Sequence, residues 1–267
     1  MQNKVILVVL DGLNQQVARE GMGYLNGLVE QQKATYYPIT SELPSLSRPL
    51  YECLLTGVTP IESGIVHNHV VRLSHHESVF SLAAKQSLTT AAAAYHWVSE
   101  LYNRAPYDAK RDRHTHDQSL NIHNGIFYHW DHYPDEALFL DAEYLRHHYD
   151  PDFLLVHSMN IDDAGHRFGL NSAQYRNSAR YADVVLSDFM PTWIAMGYQV
   201  LVTSDHGMND DKSHGGLLAE ERQVPLYVAG KGFSHQSADI KQTEICGLIC
   251  QLLGLEHHKL FNPQCLL

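Results

Sequence analysis

Seven residues of this chain have the types and the placement to do chemistry together. They are Asp11 after KVILVVL, Ser47 in PSLSRPLYECLLTG, Asp162 and His166 in NIDDAGHRFG, Asp205 and His206 in VLVTSDHGM, and His214 in KSHGG. Each lies past a stretch that reads as a β-strand. Six are hard or borderline metal ligands, and the seventh is a hydroxyl with a proline two residues on. Ions of the Zn2+ type take mixed imidazole and carboxylate ligands and leave a position open for substrate. The set therefore points to a two-metal hydrolase. Each piece alone is weak. Asp205-His206-Gly207 can be a plain turn in which Gly207 lets the backbone swing away. Asp162-x-x-Gly165-His166 can be a polar loop, and Asp11-Gly12 and His214-Gly215-Gly216 can be turns. Their joint occurrence carries the chemical reading.

The elements that must position these residues can be read from apolar patterning. Strands are expected at Lys4–Leu10, Phe153–Ser158, 199–203 and 226–228, all short and rich in β-branched residues, as strands buried on both faces are. Helices are expected at 15–31, 50–55 (just after Pro49), 81–85, 136–148, 171–190 and 243–253. Strands alternating with helices imply an α/β fold with a mainly parallel central sheet and helices on both faces. Ligands of such folds gather at the carboxyl ends of the strands, where Asp11, Asp162 and Asp205 fall. Residues 95–134 lack clear periodicity and are rich in His, Tyr, Asp and Asn. They read as a small cap or lid insertion on a single domain of 1–267, with a plain surface elaboration as the other reading. The aromatics of that stretch (Tyr95, Trp97, Tyr107, Phe127, Trp130) suit either stacking on a leaving group or a small satellite core.

Composition limits the partners. The 267 residues and 44% apolar content allow one large α/β domain with a sizeable core. A formal net charge of −11 argues against binding a nucleic-acid polymer, whereas a small anionic ester held by metals needs no basic surface. Cys53, Cys246, Cys250 and Cys265 form no C-x-x-C pair and read as buried, reduced thiols. The apolar run of the first strand is short and ends at Asp11, unlike a signal peptide, and no run approaches the ~20 residues of a membrane span. The expected compartment is the cytoplasm, with no membrane partner. The oligomeric state is not legible.

With these residues in view, the chain resembles the alkaline phosphatase superfamily, and within it the nucleotide pyrophosphatase/phosphodiesterase-like branch. VVLDGL, the S-x-P…L-x-T-G segment, D-x-x-G-H-x-x-G, S-D-H-G-M and H-G-G stand in that family's order, and ESGIVHNHV is similar to a further family stretch. The resemblance spans about Val5 to Leu253. It implies an alkaline phosphatase-like fold and two divalent ions, best suited to Zn2+ with Mn2+ or Fe as alternatives. Asp162, His166 and His214 would hold one ion, with Asp163 a rival to Asp162. Asp11, Asp205 and His206 would hold the other, with Ser47 bridging toward it. Ser47 is then the nucleophile, activated by a dication, and it can at the same time cap the helix that follows.

The chain also departs from the pattern. Leu50 stands where the phosphodiesterase branch is expected to carry an Asn, and Leu50 and Tyr51 replace the Ser and Arg of the sulfatase pattern. Arg48, Tyr51 and Asn68 are the candidates for the missing phosphoryl contact. The activity implied is hydrolysis of a small phosphodiester or nucleotide-like ester through a phosphoseryl-type intermediate. A phosphonate, phosphomonoester or sulfate ester hydrolase, a phosphomutase and a non-catalytic metal-dependent binding protein are the alternatives.

Overall fold

The structure is a computed structural model and describes residues 3–267. Its strands are Lys4–Leu10 (β1), Ala34–Thr40 (β2), Thr90–Tyr95 (β3), His114–His116 (β4), Asn124–Tyr128 (β5), Phe153–Ser158 (β6), Tyr198–Thr203 (β7) and Gln223–Ala229 (β8). They form one sheet of eight in the order β2-β8-β7-β1-β6-β3-β5-β4. The five central strands, β7 to β5, run parallel. β8 pairs antiparallel with both β7 and β2, and β4 closes the other edge antiparallel to β5. The mainly parallel α/β fold expected from the sequence is the one observed.

Alternation along the strands feeds two cores. Val5, Leu7 and Val9 of β1 join the core under helices Ser47–Thr56, Val79–Lys85 and Ile245–Leu252. Ile6, Val8 and Leu10 join the core under helices Gln15–Gly21, Asp135–Tyr149 and Ala173–Ala195. Burial of both faces excludes water from the strands and leaves the strand ends as the place where polar groups can collect. All four cysteines are buried and free, as the sequence indicated.

Several boundaries differ from the expected ones for identifiable reasons. The helix expected at 15–31 is two helices, Gln15–Gly21 and Gly23–Glu30, because Met22 between two glycines leaves helical geometry at φ −92° and ψ 84°. Pro191 does not end the long helix, which continues to Ala195 because Trp193 anchors its last turn in the core. The segment 243–253 opens with a turn of 3-10 helix, Gln242–Glu244, before the α-helix Ile245–Leu252.

The stretch 95–134 is the largest correction. It contributes β4, β5 and the helix His96–Tyr102 to the scaffold, so much of it is sheet edge rather than lid. Phe127 is fully buried, and Trp97 and Tyr107 pack against the same main core, so these aromatics join that core and form no separate small one. Trp130 remains 45% exposed.

One remote side chain completes the helix Gly23–Glu30. Its N-cap residue Met22 offers no acceptor, and the Asp183 carboxylate of the long helix accepts from the Tyr24 and Leu25 amides at 2.6 and 3.0 Å. Asp183→Ala leaves both amides without that partner, a cost of about 1–3 kcal/mol. Urea unfolding is expected to show that loss for Asp183→Ala and a smaller one for Asp183→Asn, which keeps a carbonyl acceptor. A loss below about 0.5 kcal/mol for the alanine variant would mean that solvent caps those amides equally well.

Candidate active site

The reactive residues meet at the carboxyl end of the parallel strands. Asp11 is the first residue past β1, and Gly12 turns after it with φ +73°. A Cβ at position 12 would stand 2.9 Å from the Asp162 Cα, so a glycine is needed for this close approach. Asp162 and His166 lie one turn apart on the helix Asn160–Phe168, which follows β6, and so share a face. That helix is seated on the turn after β7 through Gly165, where a Cβ would be 2.5 Å from Met208 Cε. Asp205 and His206 belong to this turn. His214 arrives on a loop laced to the Ser47 segment: the Gly215 amide donates to Ser45 Oγ at 3.1 Å, and Ser45 Oγ donates to the Gly216 carbonyl at 3.1 Å.

Three imidazoles are oriented by one device. Nδ1 of His206, His214 and His166 lies 2.8, 2.7 and 2.9 Å from the carbonyls of Gly207, Ser45 and Lys212. A carbonyl only accepts, so each Nδ1 carries a proton, and in the neutral rings of His206 and His214 Nε2 presents a lone pair. Burial holds His206 and His214 neutral, pulling both down to about 3. Nε2 of His206 lies 3.3 Å from both Asp11 Oδ1 and Asp205 Oδ2, and Nε2 of His214 lies 3.6 Å from Asp162 Oδ1. Nε2 of His166 is 3.4 Å from Asp162 Oδ2 and 3.1 Å from Nε2 of His214.

The carboxylates make the case for a cation. Asp11, Asp162 and Asp205 are buried, and burial pushes all three carboxyl groups up, with Asp205 and Asp162 adding repulsion at Asp11. Asp11 Oδ1, Asp162 Oδ1 and Asp205 Oδ2 have no hydrogen-bond partner. Buried acceptors without donors are costly, and these face imidazole lone pairs that cannot help them. A divalent ion supplies the missing positive charge to both, so the donor set fits metal binding. Ligand atoms of Asp11, Asp205 and His206 lie within 4.8 Å of one another, and so do those of Asp162, His206 and His214. His206 thus borders both groups, whereas the sequence places it in one. His166 sits at the outer side of the second group. Asp163, the rival to Asp162, pairs with Arg167 at 3.3 Å and stays out of the cluster.

The other carboxylate oxygens are held by the protein. Asp11 Oδ2 accepts from the Tyr51 hydroxyl, in a short hydrogen bond, and lies 3.3 Å from Nε2 of His157. The Tyr95 amide donates to His157 Nδ1 at 3.4 Å, which puts the His157 proton on Nε2, facing Asp11. Asp205 Oδ1 accepts from the Gly12 amide at 3.3 Å. Such contacts fix which oxygen faces the ion. Sequence reasoning missed His157. Its signal was a single imidazole inside the apolar strand β6, where a polar side chain needs a partner.

The candidates for phosphoryl contact separate cleanly. Ser47 opens the helix Ser47–Thr56, a turn earlier than expected, and its Oγ lies 3.0 Å from Nε2 of His206. Leu50 is 0% exposed, and its apolar side chain offers no hydrogen bond to a phosphoryl oxygen. Tyr51 faces Asp11 instead of a substrate. Arg48 is 1% exposed, pairs with Glu100 at 2.7 Å and lies 4.6 Å over the Trp97 ring. A buried guanidinium must be paired, and this one is used up inside the protein. Asn68 remains: its Oδ1 accepts from the Arg48 amide at 3.0 Å, which sets its side-chain amide beside the first turn of the Ser47 helix.

The model of the type I phosphodiesterase / nucleotide pyrophosphatase family matches residues 5–217. The chain is 23% identical over 273 residues to the catalytic subunit of GPI ethanolamine phosphate transferase 2 from Homo sapiens, covering 95% of this chain and 26% of that protein. It therefore spans about a quarter of that relative's length. In fold it is similar to human ectonucleotide pyrophosphatase / phosphodiesterase 5, with a TM-score of 0.75, 14% identity and 98% of each chain covered. It is also similar to the C-terminal periplasmic domain of EcEptC from Escherichia coli, with a TM-score of 0.70, 12% identity, and 99% of this chain and 87% of that one covered. No helix among the described residues is long and apolar enough to cross a membrane. The cytoplasmic placement expected from the sequence gains no support, since the E. coli domain is described as periplasmic.

Asp205→Ala is expected to lose bound metal, read by elemental analysis after dialysis. Tyr51→Phe is expected to keep the fold and weaken metal affinity by about 10–100-fold, because Asp11 loses the donor that orients it. Equal affinity in Tyr51→Phe and the unaltered protein would remove Tyr51 from this role.

Proposed function

The chain belongs to the type I phosphodiesterase / nucleotide pyrophosphatase family, and from that premise we propose that it is a two-metal enzyme that cleaves a small phosphodiester or nucleotide-like ester through a phosphoseryl intermediate on Ser47. The observation that carries this reading is the position of Ser47 Oγ, 3.0 Å from Nε2 of the one imidazole that borders both ligand groups. Asp162, His166 and His214 would hold one ion and Asp11, Asp205 and His206 the other, with Ser47 turned toward the second. Zn2+ suits this mixed donor set, and Mn2+ or Fe could replace it. When bound, such ions lower the pKa of a coordinated hydroxyl and polarise a phosphoryl oxygen.

The remaining steps belong to the chain's own residues. Ser47 Oγ attacks phosphorus, the Oγ–P bond forms, and the ester bond to the leaving oxygen breaks. The N-terminus of the Ser47–Thr56 helix favours the negative charge of the phosphoryl group. This reading assigns a phosphoryl oxygen to the side-chain amide of Asn68, whose Oδ1 is held by the Arg48 amide. Water then attacks the phosphoserine and restores the Ser47 hydroxyl. Because Arg48 is committed to Glu100, the guanidinium next to Ser47 in the chain does not offset the extra charge of a monoester dianion. The reading therefore favours a diester. A second outcome for the same intermediate is transfer to an alcohol, which the name of the human relative supports.

The test is kcat/KM of the metal-loaded protein for bis(p-nitrophenyl) phosphate against p-nitrophenyl phosphate. The diester is expected to lead at least tenfold, and an equal monoester lead would overturn the phosphodiesterase reading. Added ethanolamine or glycerol that lowers the yield of phosphate monoester in favour of a new diester would mark the transferase outcome. Ser47→Ala is expected to lose turnover by far more than tenfold with metal content unchanged. If it kept over a tenth of the rate, less than about 1.4 kcal/mol of transition-state stabilisation would be gone, and a water would be the nucleophile.

A further inference from the structure

A large cleft lies at the other end of the sheet from the reactive cluster. It has a volume of about 1190 Å3 and is bordered by Lys4 at the start of β1, Lys33 just before β2, Tyr198 at the start of β7 and Lys231 just past β8. Asp11 follows the far end of β1, seven residues on, or roughly 20 Å at about 3.3 Å per residue. A small ligand in this cleft does not touch the residues described above.

The lining has two chemical parts. One is aliphatic: Leu28, Pro191, Ile194 and Met196 form a wall, and Met196 is 53% exposed. Gly23 and Gly27 border the cleft from the helix Gly23–Glu30, and a Cβ at either would meet nothing within 4 Å, so a chain could lie directly on that backbone. The other part is cationic. Lys4, Lys33, Lys231 and His235 line the cleft, and no acidic residue does. That is notable in a chain where Asp and Glu number 30 against 19 Lys and Arg. Lys4 is paired with Asp150 at 2.5 Å, and His235 Nδ1 lies 2.7 Å from Thr35 Oγ1. Lys33 and Lys231 have no ion pair or side-chain hydrogen bond among the described residues. Asn3, Tyr24, Gln31, Tyr198 and Gln199 complete the lining, and Tyr198 and Gln199 are already hydrogen-bonded to the backbone of Pro151, Gly197 and Gly232. An aliphatic wall beside two unpaired ammonium groups selects for one kind of ligand.

We propose that this cleft binds an anionic amphiphile, an alkyl or acyl chain ending in a carboxylate or phosphate. The chain lies along Leu28, Ile194 and Met196, and the head sits between Lys33 and Lys231. Apolar contact supplies the affinity, and the lysines supply selection for negative charge.

The test is calorimetry on the full chain below the micelle concentration. The probes are dodecanoate, dodecyl phosphate, dodecyltrimethylammonium and inorganic phosphate. Both anionic amphiphiles are expected to saturate at one per chain, with the cationic amphiphile and inorganic phosphate at least tenfold weaker. The double variant Lys33→Glu/Lys231→Glu should bind dodecanoate at least tenfold more weakly. Gly27→Leu, which fills the floor, should block it. Both variants should keep the melting temperature and the diester turnover. Unchanged dodecanoate affinity in the double variant, or equal affinity for the cationic amphiphile, overturns the proposal. Pelleting with anionic vesicles without uptake of monomeric dodecyl phosphate would overturn it in favour of a membrane surface. A dimer that Gly27→Leu dissociates, with no amphiphile bound, would overturn it in favour of a second copy of the chain.

Discussion

Three carboxylates are buried together against neutral imidazoles, and the rest of the site follows from that electrostatic problem. Like charges 4 Å apart repel by about 4 kcal/mol even at an effective dielectric of 20. Asp11, Asp162 and Asp205 meet this repulsion with one oxygen each left without a donor. Arg48, a buried cation near this end of the sheet, is bound to Glu100 and takes no part. The chain has therefore built a concentration of negative potential and kept its own cations away from it. Burial makes that arrangement costly in the folded protein, and the same burial would make a divalent ion there strongly held.

Holding such a cluster needs close backbone approach more than it needs side-chain packing. The turn after β1 must come against the Asp162 helix, and Gly12 permits it. The turn after β7 must come under the same helix, and Gly165 permits that contact with Met208. The His214 loop is tied to the Ser47 segment through Ser45, and Glu221 fastens it from behind by accepting from the Gly216 and Asn209 amides at 2.6 Å each. These segments are locked by close backbone approach and by hydrogen bonds of the Ser45 and Glu221 side chains, which bring the ligand atoms together.

What could be read from the sequence divides along physical lines. β1 and β6 were legible with their observed boundaries because buried parallel strands are short runs of β-branched residues. β3, TAAAAY, was not, because alanine carries no strand preference and its assignment comes only from pairing with β5 and β6. β2 was hidden by Pro38, which the edge position tolerates and which faces Pro225 across the pair. The metal-ligand candidates were legible because Asp and His with fixed spacing leave a trace in the chain. The roles of Tyr51 and His157 were not, since both depend on meeting Asp11 across 40 and 146 positions. The sharing of His206 between ligand groups is likewise a matter of geometry alone.

The stretch 95–134 shows how a composition bias can mislead about position and still point to relevance. Its His- and Tyr-rich character suggested a lid, yet its helix His96–Tyr102 acts as a wall behind Ser47. Glu100 and Trp97 on that helix grip Arg48, the residue next to Ser47. Glu100 accepts from the Tyr107 amide as well, at 2.9 Å, which ties the grip to the following loop. A buried ion pair adds little net stability over a well-packed apolar pair, but it has a preferred geometry that an apolar contact lacks. At this position that geometry sets the rotation of the first turn of the Ser47 helix. Asn68 holds the same turn from the other side through the Arg48 amide. The Ser47 hydroxyl is thus aimed at His206 with the help of an arginine buried against Glu100 and Trp97, and the segment that looked like a cover is part of what aims it.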